Sequence, residues 1–119
     1  RGDYDLVGIA DVNSDRVATD YPGTPVFADY RKLLDEARPE AVIIASPNHL
    51  HAEQGIACAR RGIHILIEKP VTDTVETAAS LIAEVRKAGE EPDHTPPPLR
   101  RGSLLHRARQ LRRRQRQCR

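Results

Sequence analysis

The chain has 119 residues, of which 39% are hydrophobic and 30% charged, enough for one folded soluble domain and too little for two. No apolar run approaches the roughly 18 residues that a membrane-spanning helix needs, and the start, Arg1-Gly2-Asp3-Tyr4-Asp5, has no apolar signal-peptide core. The net charge of +2 conceals a split: residues 1–94 hold 10 Lys and Arg against 17 Asp and Glu, a net of −7, while residues 95–119 hold 9 Arg and no acid, a net of +9.

Taken in chain order, Asp5-Leu6-Val7-Gly8-Ile9-Ala10 reads as a strand ending at Asp11. Asn13 or Ser14 caps a short helix to about Asp20, and Tyr21-Pro22-Gly23 breaks it. Pro25-Val26-Phe27 is a short strand. Asp29 caps a helix over 30–37 that turns Leu33 and Leu34 inward, and Pro39 ends it. Ala41-Val42-Ile43-Ile44-Ala45 is an uninterrupted apolar run, the pattern of a strand covered on both faces of a parallel sheet. After the loop Ser46-Pro47-Asn48-His49, a helix runs to about Arg61, with Gly62 as its stop. Ile63-His64-Ile65-Leu66-Ile67 is the next buried strand. Asp73-Thr74-Val75-Glu76 has capping-box spacing. The helix it opens places Val75, Ala78, Ile82 and Val85 on one apolar stripe, and Gly89 closes it.

Strands alternating with helices imply βαβ units and a parallel sheet. The expected fold is therefore α/β, over residues 1–91. Beyond it, Thr95-Pro96-Pro97-Pro98 suits neither helix nor sheet interior. The Arg-rich end at 112–117 has no apolar partner, so 92–119 is expected to be a disordered basic tail. Its arginines suit phosphates, but it holds no aromatics for base stacking, which argues against a nucleic-acid partner. Cys58 and Cys118 show no metal-ligand spacing, and no metal site is read; the cytoplasm is the expected compartment. The chain holds no methionine and opens almost at once into a strand, so it is expected to be part of a longer protein.

Three places carry candidate chemistry. Asp11 ends an apolar strand, where an acidic residue in a dinucleotide-binding fold accepts hydrogen bonds from the adenosine ribose. Its charge disfavours a 2′-phosphate and so favours NAD; Arg16 nearby leaves NADP open. A helix cap is the plainer reading of Asp11, because no Gly-x-Gly-x-x-Gly precedes it. Ser46-Pro47-Asn48-His49-Leu50-His51 follows the second buried strand, with a solvated loop histidine as the plainer reading of His51. Glu68-Lys69-Pro70 follows the third. A charged pair at the mouth of a buried strand is costly unless compensated, and such strand ends are where α/β sheets bind ligands.

Together, Leu6-Val7-Gly8-Ile9-Ala10-Asp11-Val12-Asn13, Ala41 to His51 and Gly62 to Pro70 resemble the Gfo/Idh/MocA family of NAD(P)-dependent oxidoreductases, in the family's order and spacing. The resemblance covers about residues 5–89. It implies a Rossmann-like parallel sheet with flanking helices, here without the family's first strand and glycine-rich loop, and normally followed by a substrate domain. It implies hydride transfer between NAD or NADP and a carbinol of a sugar, inositol or related polyol. By position, Asp11 would bind the adenosine ribose; Ser46, Pro47, Asn48 and His51 would line the nicotinamide side; Glu68 would contact the cofactor. Lys69 would be the catalytic residue at the reacting hydroxyl, and the bond into Pro70 is often cis in the family. Without the phosphate loop and second domain, the chain is expected to be inactive by itself. The alternative is a non-enzymatic binding module or a non-functional remnant carrying a basic tail.

Overall fold

The computed structural model describes residues 4–90. Strand and helix alternate through them: β1 (Ile9–Ala10), α1 (Ser14–Asp20), β2 (Val26–Phe27), α2 (Tyr30–Glu36), β3 (Ala41–Ile44), α3 (Asn48–Ala59), β4 (His64–Ile67) and α4 (Val75–Glu90). The strands stand in two parallel pairs. In the first, Ile9 lies opposite Val26 and Ala10 opposite Phe27. In the second, the register runs from Ala41 opposite His64 to Ile44 opposite Ile67. The alternation and the parallel pairing are those expected of an α/β protein. The Pro- and Arg-rich segment 92–119 lies outside the described residues.

Helix α2 joins the two pairs into one body. Asp29 caps it, its carboxylate accepting from the Arg31 N–H at 2.8 Å. Leu33 and Leu34 turn inward and cluster with Ile44, Cys58 and Ile63. Ala10 and Phe27 of the first pair and Val42, Ile65 and Ile67 of the second pack against that same cluster. At the surface, Tyr30 donates to Glu53 on α3 at 2.7 Å. Burial, then this bond, pushes the Tyr30 phenol up to about 12. Arg61 pairs with Asp35 at 3.0 Å and Arg60 with Glu84 at 3.1 Å. Such exposed pairs orient neighbouring helices and contribute little stability.

Several expectations are corrected. The first strand is only Ile9–Ala10, because the ladder to β2 is held by Ile9 N–H to Pro25 O and Asp11 N–H to Phe27 O; Leu6 and Val7 stay exposed. The described residues cover the Ala41–Ala45 run on one face only: Ile44 is 3% exposed but Ile43 is 50% exposed. Neither Asn13 nor Ser14 caps α1 through a side chain; the Asp11 carboxylate takes the Asn13 N–H instead. The α4 cap falls one residue later than expected. Thr74 and Thr77 bond reciprocally, each hydroxyl accepting the other's N–H at 3.2–3.3 Å, and Asp73 accepts from the Thr77 hydroxyl. The inward side chain of α4 is Leu81, 5% exposed, while Val75, Ile82 and Val85 face out. Gly89 lies inside α4 rather than beyond it. At the end of α3, Gly62 acts as the stop, at φ +67. Its N–H reaches Ala59 O, and the Ile63 N–H reaches Cys58 O, which is the Schellman arrangement.

The approach of α3 to α4 depends on Gly55. A Cβ there would lie 2.7 Å from Leu81 Cδ1 and 3.4 Å from Ile67 Cδ1. Leu81 is buried and has little room to give way. We expect Gly55→Val to destabilise the chain by about 1–3 kcal/mol, as overpacked sites do, read as a lower urea midpoint at unchanged m.

Cys58 lies on the buried face of α3, 1% exposed. Burial pushes its thiol up to about 11, against a smaller opposing pull from Arg61. The unfolded thiol ionises first, so the unfolded state holds fewer protons above pH 9. The Cys58 contribution is therefore intact below pH 9 and declines as pH rises to about 11. Mass spectrometry of the Cys58 peptide should show slow alkylation of the folded chain at pH 8 and fast alkylation in denaturant.

Candidate cofactor and active site

The parallel register of β3 and β4 brings Ile44 level with Ile67, so the two chains leave the sheet side by side. The Glu68 N–H still reaches back to Ile44 O at 3.0 Å. Past this point one chain continues as Ala45-Ser46-Pro47 and the other as Lys69-Pro70, joined by a cis peptide. Pro47, Asn48, Glu68, Lys69 and Pro70 are exposed, and Ser46 is half-buried. Two loops predicted from separate motifs thus share one mouth.

Helix α3 begins earlier than the sequence suggests. Asn48 and His49 belong to its first turn rather than to a loop, directly after Pro47. The Leu50 N–H bonds Pro47 O at 2.9 Å. Pro47 is the N-cap, at φ −57° and ψ 143°, and as a proline it has no N–H to leave unpaired. The partial positive charge of the helix start consequently lies beside Ser46.

The side chains divide by role. Ser46 Oγ donates to Gln54 Oε1 at 2.6 Å. Sequence reasoning missed Gln54; its signal was the three-residue spacing from His51, which puts both on one face of α3. His51 is 1% exposed. Its Nε2 meets Ser46 O at 2.7 Å and its Nδ1 meets Pro70 O at 2.9 Å. Both ring nitrogens are thereby occupied by backbone, and the ring presents no polar atom to a ligand. Lys69 is exposed and takes part in none of the ion pairs among the described residues.

Asp11 stands at the end of β1, on the other strand pair, and is exposed. Its Oδ1 accepts from the Asn13 N–H at 2.7 Å. An ionised carboxylate has about four acceptor positions, so this turn leaves capacity for further donors. Arg16, on the following helix, pairs with Asp20 at 3.9 Å.

Parallel strands alternating with helices, with polar loops at the carboxyl ends of neighbouring strands, are the arrangement in which open α/β proteins bind nucleotides. The profile of an oxidoreductase family with the NAD-binding Rossmann fold, Gfo/Idh/MocA, matches residues 1–91. Scyllo-inositol 2-dehydrogenase (NADP(+)) of Bacillus subtilis is 30% identical over 79 residues, 66% of this chain and 22% of that protein. Inositol 2-dehydrogenase of Rubrobacter xylanophilus is 36% identical over 83 residues, 67% of this chain and 24% of that protein. Among solved structures, the WlbA dehydrogenase from Bordetella pertussis in complex with NADH and UDP-GlcNAcA superposes with a TM-score of 0.67 at 27% identity, covering 71% of this chain and 27% of that one.

The chain belongs to the Gfo/Idh/MocA family of oxidoreductases and has its NAD-binding Rossmann fold. It spans 22% and 24% of the length of the two curated relatives named above. Among the described residues, no helix is long and apolar enough to cross a membrane.

Proposed function

We propose that residues 1–91 are the cofactor-binding unit of an NAD(P)-dependent dehydrogenase, with 92–119 a separate tail. The reaction is hydride transfer between the nicotinamide and a carbinol carbon of a sugar, inositol or related polyol. The observation that carries this reading is the shared mouth of the β3 and β4 loops, held by the bond from Glu68 N–H to Ile44 O. It sets Ser46, Pro47 and Asn48 beside Glu68 and Lys69. Relatives that are inositol dehydrogenases by name support this substrate class.

The residues present fit a dinucleotide. Asp11, anchored by Asn13, takes the adenosine ribose hydroxyls on its remaining acceptor positions. Ser46, Pro47, Asn48 and Glu68 line the nicotinamide side, where the start of α3 adds positive potential. The nicotinamide, when bound, supplies the hydride chemistry. Lys69 is the catalytic residue of this chain: as the amine it takes the proton of the reacting hydroxyl, and as the ammonium it returns that proton to the carbonyl oxygen in the reverse direction. The negative charge of Asp11 favours NAD, while Arg16 keeps NADP within reach if it leaves Asp20. Placing this chain's strands as the second to fifth of a Rossmann sheet is consistent with the two pairs: in the classical order, the first strand lies between the second and fourth.

Hydride transfer needs substrate held against cofactor, and Lys69 is one part of that site. No polyol turnover is expected from this chain by itself. Titration with NADH, followed by its fluorescence, should give weak saturable binding competed by NAD. A flat titration, or turnover of a polyol by this chain unaided, would overturn the reading.

A further inference from the structure

His51 is the one buried polar side chain among the described residues. A buried polar ring is costly unless it is hydrogen-bonded, and here both nitrogens have partners. Both partners are backbone carbonyls, and carbonyls only accept. Ser46 O, at 2.7 Å from Nε2, belongs to the segment between β3 and α3. Pro70 O, at 2.9 Å from Nδ1, belongs to the segment after β4. One flat, rigid ring thus spans the two loops that form the mouth. A ring nitrogen that carries a proton donates it to the carbonyl it faces, and the rigid ring between the two carbonyls links their positions.

A second side chain on the same helix face supports the same loop. Gln54, three residues on, holds Ser46 Oγ at 2.6 Å. Ser46 is therefore gripped through its hydroxyl by Gln54 and through its carbonyl by His51. Pro70, next to Lys69, is gripped by His51 as well. The helix that carries both residues is itself seated by Gly55, Cys58 and Ala59 in the core.

We propose that His51 is a positioning residue. It acts through the backbone, fixing the distance between the Ser46 loop and the Glu68-Lys69-Pro70 segment, and does not touch the dinucleotide. This rests on the reading of that mouth as the nicotinamide side. It revises the role implied by sequence resemblance, in which His51 would line the cofactor directly.

The test uses the full chain with His51→Ala, His51→Gln and a core control, Ile44→Val, compared at matched global stability by adjusting urea. Amide hydrogen exchange is followed at Glu68 and Leu50, whose bonds lie in the mouth, and at Ala37, whose bond closes α2. In His51→Ala, exchange at Glu68 and Leu50 should rise about tenfold beyond that at Ala37, from the loss of one or two hydrogen bonds. Gln keeps an amide donor, so His51→Gln should recover part of the protection, and it gives a second reading if the alanine variant fails to fold. Weaker NADH binding should accompany the opened loops, with partial recovery in His51→Gln. Equal rises at all three amides, as in Ile44→Val, would overturn the proposal, as would unchanged exchange in the mouth. If wild-type chain binds no NADH, the cofactor reading fails, and the exchange pattern alone still decides whether His51 positions the loops.

Discussion

Leu34→Ala is expected to remove a large part of the chain's stability. Leu34 is 3% exposed on α2 and sits in the cluster that both strand pairs share. Emptying such a site removes apolar contact and leaves a cavity, at a cost of about 2–5 kcal/mol. Small domains hold a total of only about 5–15 kcal/mol. Urea unfolding followed by circular dichroism should show a large fall in midpoint, or an unfolded chain at 25 °C. A loss below about 1 kcal/mol would mean that α2 does not hold the two pairs together in this way.

Asp11→Ala is expected to weaken NADH binding by about tenfold or more, since a hydrogen bond to a charged group contributes roughly 1.5–3 kcal/mol. The substitution also removes the acceptor of the Asn13 N–H, so a second variant separates the two effects. Asp11→Asn keeps an oxygen in that turn and removes the charge. It should retain the turn, weaken NADH less than alanine does, and narrow the preference for NADH over NADPH, because the repulsion of a 2′-phosphate is gone. Fluorescence titrations of both cofactors at one salt concentration would read this. Equal NADH affinity in wild type and both variants would show that Asp11 is a turn residue only, the plainer of the two readings open at the level of sequence.

The two kinds of residue differ in how far local pattern reaches. Asp29 as cap, Leu33 and Leu34 as inward residues, and Gly62 as helix stop depend on chemistry within a few positions, and the structure has each of them where the pattern put it. The outward turn of Val75, Ile82 and Val85 does not: α4 carries two apolar faces, and its docking on Gly55 selects the one with Leu81. A hydrophobic stripe states that burial is favourable, not which neighbour is present to supply it. The same holds for Ile43, whose apolar run promised cover on both faces while the described residues cover one.

His51 makes the distinction sharpest. By sequence it stands just past a polar strand-end loop, and its spacing resembles that of residues lining a cofactor. In the folded chain it lies within α3, and its ring bridges the carbonyls of Ser46 and Pro70, the second nineteen residues beyond His51 itself. No local pattern reports a contact of that span.

What the sequence determined alone was therefore the order of elements, the Asp29 cap and the Gly62 stop, and the family, through Asp11, the Ser46–His51 segment and Glu68-Lys69-Pro70. Those properties depend on near neighbours and on spacing. The tertiary structure decided which faces of the described residues are covered, that the Ser46 and Lys69 loops leave the sheet side by side, and that the His51 ring bridges them. Those properties depend on the parallel register of β3 with β4 and the close seating of α3 on α4, which bring together residues remote in the chain.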